Sequence, residues 1–522
     1  MNSMPPLRSG PSGKTIVAFA GLAFLCKVVL ALRTYGTNDM AFYESWRVVH
    51  YLGALVNNPP SMFHLLRLDS WMSGWTGVPF PFWFRLRDIV ADAGTLLLVW
   101  KILGLRVQEP SIRWAVLMLA VAPTSILISG FHGNTDPAMT FFLLLAVYLI
   151  DRSEWSAGAA FGMSMCFKVV PIVTIPILFL HLARFRKQVI FFGTAGMVVL
   201  LLWSPYLFQN PKYILTQIFG YRSLYGNWGV SFVMSRLASQ TLNATLQSGG
   251  VFWLLAAIVL VSVWMSQPGK KQDIYLQVGV VLFLFLSVSN AFGVQYLAWV
   301  VPFVVGLGAA PAAVYYVASG TFLLVVYDFW SKGMPWYLAN SNEVGDYSSQ
   351  EAYFLVMCWL AVIGCCLLAL YRVSGAKPMK IPLFAAGRQR DFWFGGALLA
   401  VVLFAYPASR ELLSRPARVD ARKQGETEVR HLRVDQAVQI SAELLASRKF
   451  PGALSAANDA LALDPAAEEP YNHLVLAYAG MNRWNEAVLA AKTALQLHPE
   501  SRLARDNLAW AEEHLSKEPG PL

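Results

Sequence analysis

The stretch TIVAFAGLAFLCKVVLALRTYGTNDMAFYESW runs from Thr15 to Trp46, and reading it decides the fold. Thr15–Leu32 is an apolar run of helix-spanning length. A transmembrane helix needs about 20 such residues. Arg33 closes the run, and two carboxylates, Asp39 and Glu44, follow within a few residues. Such runs recur through the chain. Of the 522 residues 56% are hydrophobic and only 14% charged, against roughly 25% charged in soluble domains. The sequence therefore predicts an all-α fold, a polytopic transmembrane helical bundle followed by a small α-solenoid. Arg8 and Lys14 precede the first run, and no small-residue cleavage site follows it. It reads as a retained span rather than a removed signal peptide.

Further spans are expected near Ile89–Leu105, Trp114–Ile128, Ala138–Ile150, Val189–Tyr206, Val251–Met265, Tyr275–Ser289, Tyr296–Leu307, Ala312–Phe329, Tyr353–Tyr371 and Phe392–Tyr406. The apolar stretch Trp155–Leu182 is interrupted by FKVVPIVTIP. It is too long for one straight helix and too short for two ordinary spans, so a pair of short, proline-broken helices is expected. The count is about thirteen crossings. Arg33–Arg87, with NNPP and GVPFPFWF, reads as interfacial helices and turns.

The formal net charge is +10. The basic residues gather in LARFRKQ (Leu182–Gln188), QPGKKQD (Gln267–Asp273) and YRVSGAKPMKIPLFAAGRQR (Tyr371–Arg390). These alternate with acidic loops, as the positive-inside rule requires of cytoplasmic loops. The charge is thus explained without a nucleic-acid partner. It predicts a cytoplasmic N-terminus and a multi-pass protein of a bacterial inner membrane. The loops holding Asp39, Asp136 and Tyr206–Gly250, and everything after Ala408, then share the extracytoplasmic side. All five cysteines lie in apolar segments, which indicates neither a disulfide framework nor a zinc site.

The tail repeats. KFPGALSAANDALALDP (Lys449–Pro465) aligns with RWNEAVLAAKTALQLHP (Arg483–Pro499) at an offset of 34 residues. This is the tetratricopeptide period. Alanines allow close helix packing, and a proline stops each second helix. The expected organisation is a transmembrane domain over 1–409, a linker over 410–430, repeats with a capping helix over 431–516, and a tail over 517–522.

Within an apolar chain the informative residues are ionisable groups at or near membrane depth. Asp39 suits either a helix cap or a functional carboxylate. In FHGNTDPAM (Phe131–Met139), Asp136 before Pro137 suits a cap, and His132, Asn134 and Asp136 form a polar cluster. Lys168 sits in the proline break and is read as a cavity-facing cation rather than a snorkelling one. Asp88 and Asp92, four apart, share a helix face and either pair with Arg85 or Arg87 or line the same cavity. Arg222 and Trp228 stand among aromatics in YRSLYGNWGVSF (Tyr221–Phe232), and Gln295 and Tyr296 begin a helix in SNAFGVQYLAWVVPF (Ser289–Phe303). Aromatics suit sugar faces, cations suit phosphate, and a carboxylate can activate a hydroxyl. Glu44, in a segment that reads as an amphipathic interfacial helix, is read either as solvated or as a residue that supports the site from behind.

The first-loop acid, the short second loop with an Asp, FKVVP and QYLAWVVPF together resemble the GT-C superfamily of integral-membrane glycosyltransferases, over most of residues 15–330. The nearest types are GPI mannosyltransferase I and the dolichyl-phosphate-glucose glucosyltransferases. Residues 331–409 would then be additional spans. The resemblance implies inverting transfer of a hexose, mannose favoured, from a polyprenyl-phosphate sugar to a lipid, glycan or protein acceptor. Asp39 would be the base and Asp136 a second acid. Lys168 and Arg222 would bind the donor phosphate. His132, Asn134, Trp228, Gln295, Tyr296 and Asp92 would line the sugar and acceptor pocket. A divalent cation, Mg or Mn on Asp39, is a cofactor the resemblance allows. The tripeptide TND, with a single acid, departs from the paired acids of several members and weighs against it. The repeats resemble those of membrane O-mannosyltransferases and suggest a protein partner. The competing functions are an envelope polysaccharide ligase or polymerase and a transporter or flippase. A transporter predicts two homologous halves, which the spans do not show.

Overall fold

The computed structural model describes residues 10–46, 58–208, 211–220, 225–237, 239–289, 292–342, 347–375, 401–415 and 418–517. Six described helices are long and apolar enough to cross a membrane: Gly13–Arg33, Pro110–His132, Phe185–Leu207, Gln247–Met265, Ala309–Trp330 and Ser349–Val373. Asp136–Leu149, Val170–His181 and Ile274–Val288 are shorter apolar helices. Most of the expected span Phe392–Tyr406 lies outside the described residues.

Helix α1 (Gly13–Arg33) shows why these helices need lipid. Ser12 caps it by accepting from the Thr15 amide. Ile16, Ala23, Lys27 and Ala31 face inward on one stripe. Val17 is 72% and Leu22 63% exposed on the other. Apolar side chains so displayed on a membrane-length helix require a hydrocarbon surround. The chain is an integral membrane protein.

After α1 the chain turns through a parallel two-residue bridge, Gly36–Thr37 on Leu338–Ala339, into α2 (Asn38–Trp46). Helix α3 (Met62–Thr76) carries exposed, stacked Trp71 and Trp75, and α4 (Phe80–Leu103) packs beside α1. Pro110–His132 ends in a π turn, Ile128–His132. Gly36 and Gly133 adopt positive φ, 110° and 77°, which glycine tolerates without steric cost. A Cβ at Gly36 would lie 2.7 Å from the Phe131 carbonyl oxygen. Fully buried Arg85 locks this junction. Its guanidinium donates to Thr34 Oγ1 and the Phe131 oxygen at 3.0 Å and to the Ala31 oxygen at 2.9 Å.

The proline-broken pair forms. Glu154–Phe167 ends where Lys168 becomes extended, a 3-10 turn spans Val170–Thr174, and Ile175–His181 follows. Glu154–Phe167 lies tightly on Phe185–Leu207 through Gly158 and Gly162. Small residues four apart permit such backbone approach.

At the other end of the chain a helix spans Ala421–Ala446, starting inside the 410–430 segment. It packs on α2, and we call it the wall helix. Four helices follow, Phe450–Leu463, Glu468–Gly480, Trp484–Leu497 and Arg502–Leu515, each packed on the one before. Ala453, Ala457, Ala460, Ala487, Ala491 and Ala494 are fully buried between them.

Candidate active site

The first turns of α2, Asn134 just after the π turn, the helix break at Lys168 and the wall helix converge on a cavity of about 300 Å³. Asp39, Tyr43, Asn134, Lys168, Gln295 and Tyr296 line it from the membrane domain. Asp39 is the one carboxylate among the lining residues, and its side chain is 39% exposed. Asn134 Nδ2 donates to Asp39 Oδ2 at 3.0 Å. The amide is oriented by its own Oδ1, which accepts from the Thr135 amide at 2.7 Å. His132 Nε2 lies 3.4 Å from the same carboxylate oxygen. Its Nδ1 is 2.9 Å from the Tyr327 hydroxyl. The Tyr327 contact fixes the imidazole ring with Nε2 turned towards Asp39. Desolvation alone would raise the Asp39 pKa. The facing His132, then Lys168 and Asn134, outweigh it and hold the carboxyl below its ordinary value.

Lys168 is the cation of the cavity wall. Its Nζ donates to both oxygens of Asp136 at 2.9 Å and lies 4.9 Å from the centre of the Tyr296 ring. Tyr296 stacks on Trp299 at 4.2 Å, and the Trp299 indole N–H donates to Asp136.

Several expectations change. Asp136 is fully buried and does not line the cavity. Its carboxylate is held by Lys168 and Trp299, behind the cavity wall that Lys168 forms. Asp92 does not line the Asp39 cavity but an apolar crevice of about 560 Å³ between α1 and α4. There Lys27 Nζ donates to it at 2.7 Å and Ser125 Oγ at 2.6 Å, because an intramembrane carboxylate takes the nearest cation. Trp228 is fully buried, donates to the Leu286 carbonyl at 2.7 Å and stacks on Phe292 at 4.0 Å. Phe292 in turn meets Tyr296 edge-on, so Trp228 supports the pocket from behind. Of the two readings of Glu44 the solvated one falls: it is buried, accepts from the Tyr35 hydroxyl at 2.8 Å and faces Arg433 at 3.4 Å. Arg222 lies outside the described residues.

Tyr327, Trp299, Leu432 and Gln436 were not foreseen. Only Trp299 had a local signal, its place in QYLAW beside Gln295 and Tyr296. As a metal site the cavity is poor. Mg and Mn favour several oxygen ligands. Here one carboxylate faces an amide N–H and an imidazole, and among the described residues no three His, Cys, Asp or Glu side chains form a group able to hold an ion.

Residues 58–289 match the model of Glycosyltransferase family 87. This supports a membrane glycosyltransferase. Among solved structures the chain is similar to ArnT from Cupriavidus metallidurans bound to undecaprenyl phosphate, at 15% identity and a TM-score of 0.42, over 83% of this chain and 81% of that one. For the same protein in the apo state the values are 12% and 0.38, over 70% and 77%. No curated protein matches.

Proposed function

We propose that the chain is a GT-C type glycosyltransferase that moves a hexose, mannose favoured, from a polyprenyl-phosphate donor to an acceptor hydroxyl on the extracytoplasmic side. The observation that carries this reading is the half-open Asp39 carboxylate, held by Asn134, across one cavity from Lys168. The acceptor oxygen attacks the anomeric carbon as Asp39 takes its proton. The bond from that carbon to the phosphate oxygen breaks on the opposite face, with inversion, and the electron pair leaves with polyprenyl phosphate. Lys168 neutralises that phosphate, and Tyr296 and Gln295 offer a ring face and an amide to the sugar. No step is routed through a metal. About thirteen crossings and an extracytoplasmic tetratricopeptide domain belong to the same reading, supported by the charge alternation of the loops and the 34-residue offset.

Purified protein incubated with a panel of polyprenyl-phosphate sugars and analysed by mass spectrometry tests it. Asp39→Asn removes the base and is expected to lower transfer by about 10²–10⁴-fold. Wild-type rates in that variant at equal expression would sink the assignment and favour a ligase or polymerase.

A further inference from the structure

We propose that the wall helix Ala421–Ala446 carries the acceptor subsite of this cavity and that the subsite takes a hydroxyl-rich, water-soluble carbohydrate. The inference rests on the transferase reading and adds to it where the acceptor binds and what it is made of.

Leu432 and Gln436, four apart on the wall helix, complete the lining of the Asp39 cavity. A second cleft of about 320 Å³ shares Leu432 with it. Gln424, Thr427, His431 and Asp435 run along that cleft as one helical stripe, and Lys332 closes it from the membrane domain. The two spaces therefore lie side by side along a single helix, with Leu432 on the border between them. The helix is fixed in place: Asn340 donates to Glu428 at 2.8 Å, and Arg433 faces Glu44 at 3.4 Å. A Cβ on Gly425 would come 2.5 Å from the Tyr337 ring.

The two walls of the cavity differ in chemistry. One is Lys168, Val169 and Val170, the break between apolar helices, and suits the lipid-linked donor. The other leads into amide, hydroxyl, imidazole, carboxylate and ammonium groups. Donors and acceptors interleaved in this way match the hydroxyls of a carbohydrate and offer nothing to an acyl chain.

The test uses the full-length protein in micelles with a polyprenyl-phosphate sugar and p-nitrophenyl glycosides as acceptor probes. Thr427 is exposed and lines the cleft, so Thr427→Trp is expected to fill it with the helix retained, which circular dichroism of the variant checks. The ratio of glycoside transfer to donor hydrolysis by water is expected to fall about tenfold or more in this variant, through a raised glycoside KM. Gly425→Val, which forces the helix off Tyr337, is expected to lower the same ratio. Saturation-transfer NMR of the glycoside without donor should show binding to wild type and its loss in Thr427→Trp. Unchanged ratios, a fall confined to the donor KM, or transfer to lipid or peptide probes alone would overturn the proposal. If wild type binds the glycoside but neither transfers nor hydrolyses any donor, the transferase reading fails and the carbohydrate subsite stands. If wild type turns over donor but binds no glycoside, the subsite falls and the transferase reading stands.

Discussion

Asp39 lies within a few residues of a membrane span, yet three partners brought from elsewhere in the chain set its charge. A carboxylate whose pKa is held below the ordinary value of 3.8 stays ionised as pH falls towards that value. Transfer that needs the base should then be level on the acid side down to about pH 4 and decline only below it. Removing the facing imidazole in His132→Gln removes a lowering influence, so the acid limb of kcat/KM should move to higher pH. A limb that stays in place would show that His132 does not set the ionisation of Asp39. The sequence made Asp39, His132, Asn134 and Lys168 legible as one site because polar groups among apolar runs are conspicuous. It did not give the partners of Asp136 and Asp92, since each is drawn to whichever cation the packing brings nearest, Lys168 for one and Lys27 for the other.

The helix Glu154–Phe167 determines where Lys168 stands, because Lys168 is its C-terminal cap residue. Its placement depends on two glycines against Phe185–Leu207. At Gly162 a Cβ would lie 2.6 Å from the Ala195 carbonyl oxygen and 3.0 Å from its Cα, and at Gly158 it would press on the Phe191 backbone. Backbone cannot yield as a flexible side chain can. Gly162→Ala should therefore cost about 1–3 kcal/mol of stability, read as a lower melting temperature in detergent. Because the displaced helix carries Lys168, the donor KM should rise as well. An unshifted melting temperature would mean that the helix pair is looser than this packing shows. The prolines of FKVVPIVTIP announced the break. The glycine contact was silent in the sequence, because a small residue shows its purpose only when its neighbour is known.

The membrane helices and the segment before the wall helix meet through a buried ionic knot. Arg415 donates to Asp328 at 2.8 Å, to Glu351 at 3.0 Å and to Glu411 at 2.5 Å, and both Asp328 and Glu351 are fully buried. These acids stand at the end of Ala309–Trp330 and the start of Ser349–Val373, so one guanidinium joins two membrane helices to the segment leading to the wall helix. Arg415→Met leaves two buried carboxylates without their cation and should cost roughly 3–5 kcal/mol. Limited proteolysis between residues 401 and 421 should accelerate in parallel. Full protection in the variant would show that the knot does not couple the two parts.

The amino-acid sequence by itself determined that this protein lives in a membrane and that helices build it, and it marked a 34-residue offset in the tail and an acid just after the first span. Those properties are local: they follow from runs of apolar residues, from prolines and from periods that survive without knowledge of contacts. Only the tertiary structure decided that Asp136 pairs with Lys168, that Asp92 belongs to Lys27, that Tyr327 orients His132, and that a helix some 400 residues from Asp39 completes its cavity. Pairing of buried charges is a competition settled by distance in space, and distance in the chain carries no trace of it.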